Sequence, residues 1–125
     1  MEIRYCNTDL DLVSSKDLSP LVEAFKTKLF TSCVRGDDGN WHATFETDYA
    51  FLDPDPNIAA LLTTIEALSE PLKDLWNSCS LREFNIGYDC GDQPWAFNNK
   101  ISVKNLQRMA QSNIALRITL YPGDR

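Results

Sequence analysis

The stretch that decides the fold is IAALLTTIEALSEPLKDLW, residues 58–76. Its apolar residues recur at helical spacing over about five turns, which predicts a helix with one buried face. Pro71 interrupts the pattern and Ser69 is placed to cap a second helix, so one kinked helix and two helices with a break both remain open. At the start, Asp55 is placed to cap the helix, with Pro56 as its first residue. The buried face comprises Ile58, Leu61, Leu62, Ile65, Leu68, Leu72, Leu75 and Trp76.

Two shorter patterns precede this helix. EIRYC (2–6) and DLDLV (9–13) each alternate apolar and polar residues, but in opposite phase, which predicts strand structure with a bulge or break near Asn7 and Thr8. In SSKDLSPLVEAFKTKL (14–29), apolar residues at spacings of three, four and seven predict a helix, with Ser19 as its N-cap and Pro20 as its first residue. That spacing also places Leu29 on the buried face of the helix.

The segment FTSCVRGDDGNWHATFET (30–47) predicts a β-hairpin. Gly36, Asp37, Asp38 and Gly39 are the residue types that tight turns favour. In the outgoing strand, Trp41, Ala43 and Phe45 alternate with polar residues and are expected to point into the core. His42 is expected to point outward.

The C-terminal part predicts a strand, a helix and a final strand. LREFNIGY (81–88) alternates as a strand, Ser102 is placed to cap a short helix, Asn113 to end it in the left-handed conformation, and IALRITLYP (114–122) alternates again. The predicted order is β-α-β-β-α-β-α-β over a single domain, residues 1–125. This order favours an α+β two-layer sandwich, a largely antiparallel sheet of about five strands with helices on one face.

The composition of the chain disfavours several classes of function. The chain carries 12 Lys and Arg against 18 Asp and Glu, a net charge of −6. That balance disfavours nucleic acid and anionic membranes and favours a basic protein partner. With one His, four Cys and no CxxC pair, we expect reduced thiols and neither a metal nor a cofactor. The N-terminus lacks the pattern of a signal peptide and no apolar run is long enough to span a bilayer, so we expect a cytoplasmic protein.

The stretch NIGYDCGDQPWAFN (85–98) is the candidate site. Its first residues finish the predicted strand, and Asp89 to Lys100 form a predicted loop of about a dozen residues, a length at which loops are often functional. Trp95 has two interpretations, a ring folded back over the edge of the core or an exposed contact residue. The predicted partner-binding residues are Asp89, Asp92 and Trp95 of this loop, together with Asp37 and Asp38 of the hairpin turn.

Several segments together resemble a known family. They are the Trp-containing strand NWHATFET (40–47), the Leu-rich helix (58–76), the strand LREFNIGY, and the helix and strand VKNLQRMAQSNIALRITLYP (103–122), with Trp41 and Tyr121 as aromatic markers. In this the chain resembles the domain of unknown function 4279 family, small and mostly bacterial proteins. It departs from them at VRGDDGN (34–40), where such proteins often carry a basic, Gly-containing segment. The resemblance implies an α+β fold and no established activity. Some relatives look like immunity proteins that neutralise a toxin.

Three hypotheses about function therefore stand. The first, which we favour, is a non-enzymatic binding protein, such as an immunity protein or inhibitor, with a basic partner. The second is a structural or regulatory homo-oligomer that pairs through an edge strand or a sheet face. The third is an enzyme of unrecognised type that uses Asp89, Cys90, Asp92 and Trp95.

Overall fold

A computed structural model describes residues 1–122, and its sheet is built around the central strand β1. The five strands, in the order of the sheet, are β2 (Leu29–Arg35), β3 (Trp41–Thr47), β1 (Arg4–Ser14), β4 (Leu81–Asp89) and β5 (Ala115–Tyr121). The pairs β2–β3, β3–β1 and β1–β4 are antiparallel, whereas β4 and β5 run parallel. The prediction of a largely antiparallel, five-stranded sheet is confirmed, and the sheet is mixed because of β5.

Four helices in the described residues form the second layer, on one face of the sheet. They are α1 (Ser19–Phe25), α2 (Pro54–Glu66), α3 (Glu70–Asn77) and α4 (Val103–Gln111). The core lies between the layers, where Leu10 and Leu12 of β1 are buried beneath α2 and the ring of Phe25 meets that of Phe45 edge to face at 5.0 Å. Each large apolar side chain buried there contributes about 1.5 to 3 kcal/mol. The α+β two-layer sandwich is therefore confirmed.

The predicted bulge in β1 is present. The pairing of β1 with β4 shifts between Tyr5, which lies opposite Tyr88, and Asn7, which lies opposite Gly87, so Cys6 is the extra residue. The extra residue restores the alternation, and Tyr5 on one side of the bulge is buried like Leu10 on the other. The opposite phases of the two sequence segments thus meet in one strand.

The helix at 58–76 is broken rather than kinked. The helix α2 ends at Glu66 and α3 begins at Glu70, with Ser69 in the N-cap position. Trp76 is buried as predicted, and its Nε1 donates a hydrogen bond to the carbonyl oxygen of Ser112 at 3.0 Å. The break therefore allows α3 to run in a different direction from α2, and the hydrogen bond of Trp76 attaches α3 to the end of α4.

The predicted N-caps of two helices, Ser19 and Asp55, are wrong by one and two residues. In α1 the N-cap is Leu18, and Ser19 is the first helical residue, whose backbone NH donates to the carboxylate of Asp17 at 2.8 Å. This helix ends at Phe25, so Leu29 belongs to β2 instead of the helical face. In α2 the N-cap is Asp53.

Asp55, which the sequence predicted as the cap of α2, instead connects two helices. It lies in the first turn of α2, and its Oδ1 accepts hydrogen bonds from the backbone NH of Ser102 at 2.9 Å and from Nδ2 of Asn105 at 2.8 Å. Ser102 in turn caps α4 as predicted, since its Oγ accepts from the backbone NH of Asn105 at 3.1 Å. Asn113 ends α4 with a φ of 58°, also as predicted.

The connection between α2 and α4 can be tested by Asp55→Ala. We expect a loss of about 1 to 2 kcal/mol in the free energy of unfolding, because the backbone NH of Ser102 loses its acceptor in a partly buried place. Asp53→Ala is the matched control, since the Asp53 side chain forms no capping hydrogen bond, and its loss should stay below about 0.5 kcal/mol. Urea denaturation measures both, and equal losses would contradict the assignment.

Candidate functional site

The sheet face opposite the helices is covered by no other element of residues 1–122. We call it the open face, and it is formed by the alternate residues of each strand that point away from the core. Its polar part comprises Asn7, Asp9 and Asp11 of β1, His42, Thr44 and Glu46 of β3, Glu83 and Asn85 of β4, and Arg117, Thr119 and Tyr121 of β5. Four of these side chains are carboxylates, so the open face is acidic.

Asp9 and Glu46 lie at the centre of the acidic region and share one donor. Nδ2 of Asn7 donates to Oδ1 of Asp9 at 3.1 Å and to Oε2 of Glu46 at 2.7 Å. Partial burial, together with the negative charges of Asp11 and Glu46, raises the pKa of Asp9 from 3.8 to about 6. Holding the two carboxylates together therefore costs free energy, and this cost is larger when both groups are ionised.

The negative charges of the neighbouring acids on the open face are balanced to different degrees by hydrogen-bond donors and cations. Asp11 accepts a hydrogen bond from Oγ1 of Thr44 at 2.9 Å, and partial burial raises its pKa. Glu83 forms an ion pair with Arg117, whose Nε lies 2.6 Å from Oε1. Among the described residues, Asp9, Asp11 and Glu46 have no cation within ion-pair distance, so this part of the open face keeps excess negative charge.

A buried polar network fixes Asn7 from the core side. Nδ2 of Asn57 in α2 donates to Oδ1 of Asn7 at 3.2 Å and to the hydroxyl of Tyr5 at 2.8 Å, while its Oδ1 accepts from Thr47 at 2.9 Å. The hydroxyl groups of Tyr5 and Thr8 lie 2.6 Å apart. Because these buried groups are all hydrogen-bonded, the network orients Asn7, and through it the carboxylates of the open face.

A small hollow opens beside Asp9. Its volume is about 70 Å³, and it is lined by Cys6, Asn7, Asp9, Asn85, Gly87 and Tyr121. Gly87 leaves room for the Tyr121 ring, since a Cβ atom there would lie 3.1 Å from Cε2 of the ring. The hollow has room for one small polar group, such as an ammonium group, next to the Asp9 carboxylate.

The structure places the predicted loop residues at the C-terminal end of β4. Asp89 accepts a hydrogen bond from Nη2 of Arg4 at 3.3 Å, and Asp92 forms an ion pair with the N-terminal ammonium group at 3.0 Å. Trp95 is 98% exposed, so the interpretation of a ring folded back over the core is wrong. Sequence spacing alone does not distinguish a buried from an exposed Trp95, because the loop has no helical or strand periodicity that would indicate which side chains are buried.

Asp37 and Asp38 lie far from that loop. The hairpin turn precedes β3, and because β3 and β4 both run antiparallel to β1, the turn and the end of β4 are at opposite ends of the sheet. Asp38 accepts from the backbone NH of Asn40 at 2.9 Å and lies 3.1 Å from Nε2 of His42, contacts that lower its pKa. The five predicted residues therefore form two separate groups.

The structure also shows an apolar groove that the sequence did not predict. Its volume is about 480 Å³, and it lies on the helix side of β5, where Ile118 and Leu120 face Phe97 and Tyr88. One signal was present in the sequence, because residues 93–122 contain no Asp or Glu although the chain has 18. A long segment without acidic residues in an acidic chain indicates a surface that is less negatively charged than the rest.

The enzyme hypothesis stays a prediction, and Asp89 and Cys90 of the predicted loop line the groove of about 480 Å³. Cys90 is half-buried at the end of β4, whereas the single histidine of the chain, His42, lies at the opposite end of the sheet. Within residues 1–122, no three His, Cys, Asp or Glu side chains are grouped so that they could hold a metal ion. None of the described helices combines the length and apolar character needed to cross a membrane.

Comparison of the chain with protein-family models, curated proteins and solved structures gives no match. The resemblance to the domain of unknown function 4279 family accordingly stays a prediction. What the protein does must be inferred from its own surfaces.

The raised pKa of Asp9 predicts a pH-dependent stability. A carboxyl group whose pKa is higher in the folded state than the usual 3.8 stabilises the fold when protonated, so its contribution decreases as pH rises through about 6. Asp9→Asn mimics the protonated form. We expect it to raise the free energy of unfolding at pH 7.5 by about 1 to 2 kcal/mol, a value reduced for partial exposure, and to have little effect near pH 4.

Thermal unfolding of the two proteins across this pH range measures the difference. Asp74→Asn is the control, because Asp74 is exposed on α3 and its replacement removes the same charge away from the open face. If the stabilisation by Asp9→Asn were equal at both pH values, proton binding by Asp9 would not be its cause.

Proposed function

We propose that the protein is a non-enzymatic binding protein whose open face accepts a basic segment of another protein. The observation that carries the proposal is the group formed by Asp9, Asp11 and Glu46. These carboxylates lie together on an uncovered sheet face, and among the described residues none of them has an ion-pair partner. A binding partner that supplies lysine or arginine side chains would neutralise them.

Charge complementarity is favourable here because the acids are already positioned. Asn7 holds Asp9 and Glu46 side by side, and Asn57 holds Asn7, so a partner meets carboxylates that need little reorganisation. The hollow of about 70 Å³ beside Asp9 is suited to the ammonium group of one lysine. That lysine would relieve the repulsion between neighbouring carboxylates, which exists in the unbound protein.

Apolar side chains flank the acids on the same face. Phe30 and Val34 are exposed on the edge strand β2, and the register with Glu46 and His42 puts them on the open face. Tyr121 lies on the opposite side, on β5. Interfaces commonly combine such aromatic and aliphatic contacts with charged groups, and Tyr is enriched among the residues that contribute most to binding.

The other predicted contact residues have a smaller part in this proposal. Asp37 and Asp38 add negative charge near the hairpin end of the open face, which favours long-range attraction of a basic partner. Asp89 and Asp92 already contact Arg4 and the N-terminal ammonium group. A toxin as the basic partner, as the family resemblance suggests, and a cytoplasmic location both stay predictions.

Titration of the labelled protein with a short lysine homopeptide tests the proposal. We expect the largest amide chemical-shift changes at Asp9, Asp11, Thr44 and Glu46, and saturable binding that weakens as pH falls below about 6, because protonated Asp9 no longer attracts the peptide. Shift changes spread evenly over the acidic residues of the helices would contradict a specific open-face site.

Two variants test whether the open face contributes to the affinity for the peptide. Asp9→Asn should weaken peptide binding by about tenfold, the loss of one close charge pair, whereas Asp74→Asn should weaken it less than about twofold. Both changes remove one negative charge, so equal effects would show that net charge, and not the arrangement on the open face, attracts the peptide.

A further inference from the structure

The strand β5 has an unpaired edge. It hydrogen-bonds to β4 on one side, from Ala115 opposite Glu83 to Tyr121 opposite Asp89, and no strand of residues 1–122 lies on its other side. Natural proteins commonly protect such edges with proline, lysine, inward charges or bulges. The seven residues ALRITLY contain no proline, lysine or bulge. Their one charged residue, Arg117, forms an ion pair with Glu83.

The helix-facing side of β5 is apolar and yet uncovered. The register places Leu116, Ile118 and Leu120 on the same side as the buried Phe84 and Ile86 of β4. The three β5 side chains are nevertheless 41%, 60% and 63% exposed. The helix layer therefore ends above β4 and leaves the last strand without a cover.

The position of α4 explains why the cover is missing. Asn105 and Arg108 attach α4 to α2, through Asp55 at 2.8 Å and through Glu66 at 2.8 Å. Val103 and Leu106 are exposed on the side of α4 that these contacts leave free. We call the exposed apolar side chains of β5, of α4 and of the loop before α4 the β5 flank; it comprises Trp95, Phe97, Val103, Leu106, Leu116, Ile118 and Leu120.

The charge of the β5 flank differs from that of the rest of the chain. Residues 93–122 carry four Lys and Arg and no acid, and all 18 acids lie elsewhere. Arg108 and Arg117 form ion pairs within the chain, with Glu66 and Glu83. Two copies of a protein with a charge of −6 repel each other through most of their surfaces, but not through this one.

The strand is also complementary to itself. If two β5 strands pair antiparallel about a twofold axis at Ile118, Leu116 of each copy lies opposite Leu120 of the other, so apolar side chains meet on the helix side. On the open face Arg117 then lies opposite Thr119, which avoids a contact between like charges. A twofold axis needs such a self-complementary surface.

The exposed apolar area of the β5 flank approaches the area that one partner buries in a standard interface. Given their exposed fractions, the seven side chains of the β5 flank present on the order of 700 Å². Each partner in a standard interface buries about 800 Å². We propose that two copies of the chain associate through the β5 flank, with antiparallel β5–β5 pairing about Ile118 that joins their sheets into one.

The proposal is independent of the open face, and its test uses oligomeric state. We expect sedimentation equilibrium to give twice the monomer mass for the wild-type protein at micromolar concentration. Ile118→Lys brings two positive charges together at the axis and should raise the dimer dissociation constant by about 100-fold or more. Val34→Lys, at a residue that is also 60% exposed but on the opposite edge strand, should leave it unchanged.

A charge-swap experiment tests the position of the axis. Ile118→Lys and Ile118→Glu should each be monomeric alone, whereas an equimolar mixture should form a dimer because opposite charges then meet at the axis. Circular dichroism checks that both variants fold. A monomeric wild-type protein, a dimer that survives Ile118→Lys, or a mixture that stays monomeric would each overturn the proposal.

Discussion

The central position of β1 is the constraint on which the rest of the structure depends. Because β3 and β4 lie on both sides of it, every backbone group along its middle is paired and its two faces must serve different purposes. Leu10 and Leu12 point into the core, while Asp9 and Asp11 point to the open face. The bulge at Cys6 allows the first part of the strand to follow the same division.

The polar groups near the bulge connect the two layers. Asn57, buried at the start of α2, contacts Tyr5 in the core and Asn7, which in turn contacts the carboxylates of the open face. A buried amide with all its hydrogen bonds satisfied specifies the relative position of the elements that it joins. The placement of the acids is thus coupled to the docking of α2 on the sheet.

Several local features were predictable from the sequence, although the N-cap at Ser19 was not, whereas side-chain contacts between distant residues were missed. The bulge, the cap at Ser102 and the left-handed Asn113 follow from preferences of residues within a few positions of each other. Asp55 was assigned to its own helix because its partner at Ser102 lies 47 positions away. The acidic group on the open face was also missed, since the pairing of β1 with β3 is what brings Glu46 beside Asp9.

The alternation of side chains along β1 has a consequence for how such a protein can change. Residues that face the core and residues that face outward are neighbours in sequence, yet they are separated by the thickness of the sheet. Substitutions at Asp11 or Thr44 can therefore change the charge of the open face while Leu10 and Ala43 keep the packing of the core. The outer surface of the sheet can thus be altered residue by residue without disturbing the contacts that fix the fold.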